Sequence, residues 1–262
     1  MARMGWTLEP TQLVPIALAA ALYARRFAAL RRRGRPPPAI KAISFAAAVA
    51  VLVLALVSPI DSIGEERLFS VHMTQHLLIG DLAPLLVALG LSGPLLRPVL
   101  ATGVLWRARA LTHPLVALPL WAADLWLWHI PALYDAALRH PLLHALEHAC
   151  FFTGGLLLWC TLLGVLPGPR WFGRGGRLAS LAVVWVAGGA LANLFLWSGH
   201  AYYDAYAGAP RTWGLTRLAD QRAGGGVMLI EMMFAGVVVF VASGLGWLAD
   251  DERRQLLREG GD

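Results

Sequence analysis

The sequence is a 262-residue chain in which 58% of the residues are hydrophobic and only 15% are charged. Soluble domains carry about 25% charged residues, so this composition, with a mean hydropathy of +0.60, excludes an ordinary soluble protein. The formal net charge is +6. Because no basic face on a soluble surface is indicated, we do not expect a nucleic-acid-binding protein.

Seven apolar segments each approach the roughly 20 residues that a membrane-spanning helix needs. They predict an all-α membrane protein, a seven-transmembrane-helix bundle that forms one integral membrane domain over residues 1–262. The predicted spans lie at about residues 11–30, 39–59, 69–91, 114–131, 142–166, 178–199 and 224–248. A signal peptide carries its positive charge before its apolar stretch. Here the arginines follow the first segment, so we expect this segment to be retained.

The distribution of lysine and arginine predicts the orientation of the bundle. Of the 22 such residues, those in the first, third and fifth loops and in the C-terminal tail outnumber those on the opposite side. Cytoplasmic loops carry an excess of Lys and Arg. We therefore expect the N-terminus outside and the C-terminus in the cytoplasm.

Histidines converge on one layer when the spans are taken in chain order. The third span contains "HMTQH", which places His72 and His76 on one helix face. The fourth span carries His129 in its last turn, and the fifth contains "HALEH", with His144 and His148 in the same i, i+4 arrangement. In the predicted orientation all five lie in the outer half of the membrane, where ionisable groups usually face the bundle interior.

The chemistry of this layer indicates a metal site. Imidazole suits copper, zinc, iron and nickel, and thioether sulfur favours Cu(I). Met73, Met228 and Met232 are expected at the same depth as the histidines, which favours copper as Cu(I). Glu147 and Asp124 are candidates to orient a ligand histidine.

Two other chemistries remain open at this stage. The segment from His144 to His148 reads H-x-x-E-H, the pattern of a zinc metalloprotease in which Glu147 would act as general base. Histidines on facing helices would also suit a b-type haem near the outer side of the membrane. The remaining histidines are expected at helix ends or at the membrane interface: His113, His140 and His200.

Four motifs resemble the CtaG family of caa3-type cytochrome c oxidase assembly factors. They are "SPIDSIGEERLFSVHMTQHLLIGDLAPLLVALG" (58–90), "LWHIPALYDAAL" (127–138), "HALEHACFFTGGLLLW" (144–159) and "DQRAGGGVM" (220–228). The resemblance implies a seven-helix protein of the bacterial cell membrane that binds copper on the periplasmic face and delivers it to the oxidase copper centre.

The resemblance also implies partners and site residues. The partners would be a cytochrome c oxidase subunit and an extracytoplasmic copper donor, and the protein would not be an enzyme. The implied metal positions are those of the histidine layer: His72, His76, His129, His144 and His148. Asp220, Gln221 and Met228 are motif residues to which the resemblance assigns no definite role.

Overall fold

The structure is a computed structural model that describes residues 6, 8, 10–102, 109–166, 168–169 and 171–259. Within these ranges every regular element is helical and no strand occurs. The all-α prediction is therefore confirmed for this part of the chain. Arg3, Arg107 and Arg170, which entered the count of basic residues, lie outside the described residues.

The helices follow one another with short connections. In chain order they are α1 (Pro10–Arg32), α2 (Ala39–Val57), α3 (Pro59–Glu66), α4 (Phe69–Gly90), α5 (Gly93–Leu100), α6 (Pro114–Trp128), α7 (Pro131–Arg139), α8 (Pro141–Leu163), α9 (Arg174–Trp197) and α10 (Arg217–Glu259). Short 3₁₀ turns lie at Arg109–Thr112, Asp204–Tyr206 and Thr212–Gly214.

Six of these helices are long and apolar enough to cross a membrane. The predicted fourth span, 114–131, corresponds to α6, which ends at Trp128, and α7 then leaves it at an angle of 73°. Pro131 disfavours helical backbone in the residue before it, and Ile130 is extended, with φ −64° and ψ 124°. The described part of the chain thus holds six spans, or seven if the bent pair α6–α7 is one.

Two glycines bring α4 and α8 unusually close together. A Cβ atom on Gly155 of α8 would overlap the carbonyl oxygen of Gly80 in α4, so only glycine fits at this crossing. Small residues at such crossings let helix backbones approach closely in membrane proteins. Gly80 lies within a π turn, Leu78–Leu82, that interrupts α4. Because Gly80 is one turn beyond His76, this crossing sets the distance between the histidines of α4 and α8.

The N-terminus of α4 is fastened to α10 by Asp220. Its carboxylate accepts hydrogen bonds from the backbone N–H groups of Phe69 (2.7 Å) and Ser70 (3.1 Å) and from the Ser70 hydroxyl (2.5 Å). The first N–H groups of a helix have no partner within the helix, so this carboxylate caps α4 from a distant part of the chain. Gln221 binds the loop before α10, accepting from Tyr202 N–H and donating to the His200 carbonyl. Both motif residues therefore have structural roles.

Candidate metal centre

Four histidines and one glutamate meet where α4 and α8 begin. We call His72, His76, His144, Glu147 and His148 the imidazole cluster. Ring centroids are 4.1 Å apart within each i, i+4 pair, and between helices they are 5.4 Å apart for His72–His144 and 5.5 Å for His76–His148. All five side chains are buried. The structure thus brings together the two histidine pairs that the sequence placed at one depth.

Most polar side-chain atoms of the imidazole cluster have no hydrogen-bond partner. Both ring nitrogens of His72, His76 and His148, the Nε2 of His144 and both carboxylate oxygens of Glu147 are buried and unpaired. Buried polar groups are otherwise nearly always hydrogen-bonded, and each unsatisfied one costs about 1–3 kcal/mol. Convergent lone pairs of this kind are what a metal ion would satisfy.

The spacing of these atoms suits a single ion. One ligand atom from each of His72, His76, His144 and Glu147 lies within 4.8 Å of the others. Ligand atoms bound to one tetrahedral ion at about 2.0–2.1 Å lie about 3.3–3.4 Å apart, so a contraction of up to about 1.5 Å would close the site. Glu147 Oε1 lies 3.9 Å from His76 Nε2, and Glu147 Oε2 lies 4.0 Å from His144 Nε2. Both separations are too long for a hydrogen bond.

Glu65 of α3 orients one of these histidines. This residue was not predicted from the sequence as part of the site. Its Oε1 lies 2.9 Å from His144 Nδ1. Ligand histidines commonly donate their second ring N–H to a carboxylate, which fixes the tautomer and leaves the other nitrogen for the metal. Glu65 lies near the end of α3, shortly before His72, and its proximity to His72 in the sequence does not reveal that it contacts His144 of another helix.

The helix that carries Glu65, α3, is held tightly against α4. Gln75 of α4 donates to Asp61 Oδ1 (2.7 Å) and to the Ala55 carbonyl (3.0 Å). A Cβ atom on Gly64 would lie 2.9 Å from the His72 Cα atom, so α3 packs directly on the backbone of α4. Asp61 therefore anchors α3, and it is Glu65 that reaches the cluster.

His129 lies beside the cluster and contacts a methionine. It occupies the break between α6 and α7, and its ring centroid is 6.3 Å from that of His76. Its Nδ1 lies 2.7 Å from the Leu125 carbonyl oxygen, and its Nε2 lies 3.4 Å from Met73 Sδ. The same side of α4 borders a cavity of about 40 Å³. We call this cavity the thioether pocket; its lining includes Met73, His76, His129, Met228 and Met232.

Tyrosines close the cluster at the end where α4 begins. Tyr206 donates to the Gly64 carbonyl (2.8 Å), and its hydroxyl lies 2.8 Å from that of Tyr134, whose ring is 5.4 Å from that of His72. Tyr203 donates to the His129 carbonyl (3.1 Å). Burial raises the pKa of Tyr203 and of Tyr206 well above the usual value, so both phenols are neutral hydrogen-bonding groups.

The remaining candidates are exposed or make other contacts. Asp124 is half-buried and accepts a hydrogen bond from Trp128 Nε1 at 2.9 Å. His140 is the exposed residue before α8, as expected for a helix-start position, and His200 is exposed in the loop after α9. His113 begins α6 at the opposite end, where its Nδ1 accepts from Leu115 N–H.

Comparisons with known proteins extend over most of the chain. The model of the cytochrome c oxidase caa3 assembly factor family (Caa3 CtaG) matches residues 21–250. Uncharacterized proteins of Mycobacterium bovis and Mycobacterium tuberculosis are each 30% identical over 253 residues, and one of Mycobacterium leprae is 24% identical over 251 residues. The matches cover 88% of this chain but only 37% or 38% of each relative. No solved structure matches significantly. The family match confirms the resemblance to this family that the four motifs indicated.

Proposed function

The chain belongs to the cytochrome c oxidase caa3 assembly factor family, and we propose that it serves assembly by binding copper and passing it to the oxidase copper centre. The metal would be carried as Cu(I) by the layer formed from the imidazole cluster, His129 and the neighbouring thioethers. A carrier of this kind turns over no substrate and is not an enzyme.

The observation that carries this proposal is the set of unpaired ring nitrogens in the imidazole cluster. A purely structural network of four histidines and a carboxylate would be expected to satisfy its members by hydrogen bonding. Within the described residues, the short polar contact of the cluster's rings is the one between His144 and Glu65. That contact leaves the Nε2 of His144 directed at the cluster.

The ligand chemistry supports copper as the cargo. Imidazole binds several transition metals, but a set that also offers thioethers at the same level of the bundle selects Cu(I). A structural zinc site is a closed tetrahedral cage, whereas a carrier has to release its ion. A ligand set with more donors than one ion needs, as here, allows the ion to exchange ligands during release.

The basic residues support the expected orientation. Most Lys and Arg residues lie in the loops opposite the cluster and in the C-terminal tail, so the cluster would face the periplasm in the bacterial cell membrane. Copper is inserted into the oxidase from that side in this proposal. The partners would be the copper-binding subunit of the oxidase and a periplasmic copper donor.

A complementation experiment tests the assembly role. In a strain that lacks the protein, a copy with His72→Ala or His148→Ala should leave the oxidase deficient in copper and in activity, while the wild-type copy restores both. His200→Ala is the matched control, because His200 is exposed outside the cluster. Full restoration by His72→Ala and His148→Ala, with each variant present in the membrane at the wild-type level, would contradict the proposal.

The two alternative functions, a zinc metalloprotease and a b-type haem protein, can be distinguished from a copper carrier in purified protein. A zinc metalloprotease would require Glu147 as base, so proteolysis by the wild type that is abolished in Glu147→Gln would favour it. A b-type haem protein would show a strong Soret absorption band, which His148→Ala or His72→Ala would remove. Copper in the cluster without either signal supports the carrier.

A further inference from the structure

The contact between His129 and Met73 has no ordinary hydrogen-bonding explanation. A carbonyl oxygen only accepts, so the 2.7 Å contact with Leu125 places the ring proton of neutral His129 on Nδ1. The Nε2 atom then carries a lone pair and faces Met73 Sδ at 3.4 Å. Sulfur in a thioether has no hydrogen to donate. Two lone-pair donors therefore point at each other in a buried position.

Buried methionines collect around this contact. Met73 is 1% exposed, and Met228 and Met232 of α10 are 5% and 6% exposed. All three line the thioether pocket together with His76, whose ring nitrogens are both unpaired. Met233, the next residue of α10, is 71% exposed, so α10 directs one of two adjacent methionines to the pocket and the other outwards.

The size of the pocket suits one ion. Its volume of about 40 Å³ is enough for a single ion or water molecule. Asp81 and Glu231 also line it.

Resting on the copper function proposed above, we propose that the thioether pocket is a second, sulfur-containing position for the ion. Cu(I) would bind there to His129 Nε2, Met73 Sδ and His76, with Met228 as a further thioether. Divalent ions would be restricted to the imidazole cluster, whose donors are nitrogen and carboxylate oxygen, whereas Cu(I) could occupy both positions and would prefer the pocket. Because His76 belongs to both, the two positions are alternatives for one ion, which moves between them along α4.

X-ray absorption spectroscopy of the purified full chain tests this inference. One sample is loaded with Cu(I) under anaerobic, reducing conditions and another with Zn(II), and affinities for both ions are measured by chelator competition. The variant is Met73→Leu/Met228→Leu, which keeps side-chain volume nearly constant and should fold. Met233→Leu is the matched control on the exposed face of α10.

We expect sulfur scattering in the Cu(I) sample and only nitrogen or oxygen in the Zn(II) sample. The double variant should lose the sulfur scattering and bind Cu(I) at least about tenfold more weakly, with Zn(II) affinity within about threefold of the wild type. Met233→Leu should match the wild type. Copper bound only by nitrogen or oxygen would overturn this inference and leave the carrier function standing. A wild-type chain that binds neither ion would overturn the carrier function as well.

Discussion

The imidazole cluster and the thioether pocket are neighbours that differ in ligand chemistry. Both use α4 and share His76, yet the cluster draws nitrogen and oxygen donors from α8, whereas the pocket draws nitrogen and sulfur donors from the α6–α7 break and from α10. His72 and His76 lie four residues apart and face α8, while Met73 is turned by about 100° from His72. One helix thereby presents two kinds of site on adjacent faces.

The two regions also differ in how their geometry is fixed. The cluster depends on the close crossing at Gly80 and Gly155 and on the Glu65 carboxylate, both of which set ligand positions closely. The pocket is lined by methionines, whose unbranched side chains adapt to irregular spaces. Metal binding in the cluster should therefore be more sensitive than metal binding in the pocket to changes in backbone position and hydrogen bonding.

The largest expected effect comes from separating α4 and α8. In Gly155→Val the new side chain would overlap the Gly80 carbonyl, and overpacking of this kind typically costs about 1–3 kcal/mol of stability. We expect the imidazole cluster to open and Zn(II) binding to be lost, with a weaker effect on Cu(I). Metal titration and a thermal melt of the purified variant measure both quantities.

Gly226→Ala provides the control for this substitution, since a Cβ atom there meets no atom within 4 Å. It should bind both ions as the wild type does. If Gly155→Val also binds Zn(II) with wild-type affinity, the crossing does not position the cluster.

A smaller and more selective effect is expected for Glu65→Gln. The amide no longer provides a carboxylate for His144 Nδ1, which lies 2.9 Å from it in the wild type. Loss of such a partner typically weakens metal binding about 10–100-fold. Zn(II) affinity should therefore fall within this range, while Cu(I) affinity in the pocket changes less. Glu66→Gln is the control, because Glu66 is the exposed neighbour; equal losses in the two variants would rule out a specific role for Glu65.

Acidification should also weaken metal binding more in the imidazole cluster than in the thioether pocket. Free imidazole protonates with a pKa of about 6.5, and protons compete with metal for it, whereas a thioether does not titrate. As the pH falls from 8 to 5 we expect Zn(II) affinity to fall more steeply per pH unit than Cu(I) affinity. Chelator competition between pH 5 and pH 8 measures both slopes. A steeper slope for Cu(I) would contradict the assignment of ligands to the two regions.

The smallest expected effect comes from weakening the Asp220 cap of α4, the helix that both regions share. Asp220→Asn replaces the carboxylate that accepts three hydrogen bonds at the start of α4, and we expect a loss of about 1–2 kcal/mol in stability. Because α4 serves both regions, Cu(I) and Zn(II) affinities should change by the same factor. Asp204→Asn, at an exposed surface ion pair with Arg217, should leave the melting temperature unchanged.

Local patterns in the sequence were sufficient for the histidine layer. The i, i+4 spacing of His72 with His76 and of His144 with His148 fixes a shared helix face, and the order of the spans places both pairs at one end of the bundle. The structure brings these four residues together as expected. Their role as metal ligands stays a prediction.

Contacts between residues distant in sequence could not be predicted in the same way. Asp220 caps α4 across 151 positions, and no periodicity relates the two segments. Glu65 reaches His144 because α3 packs on α4 through Gly64, a tertiary contact. The break after His129 has a local signal in Pro131, but a proline at the end of an apolar run is also compatible with the end of a span.

Metal content of the purified protein tests the central claim most directly. The wild type and His76→Ala/His144→Ala are loaded with Cu(I), freed of loosely bound metal and measured by mass spectrometry. We expect about one copper per wild-type chain and almost none in the variant, which removes one ligand from α4 and one from α8. Absence of copper from the wild type, or equal copper in both proteins, would contradict a metal site at the imidazole cluster.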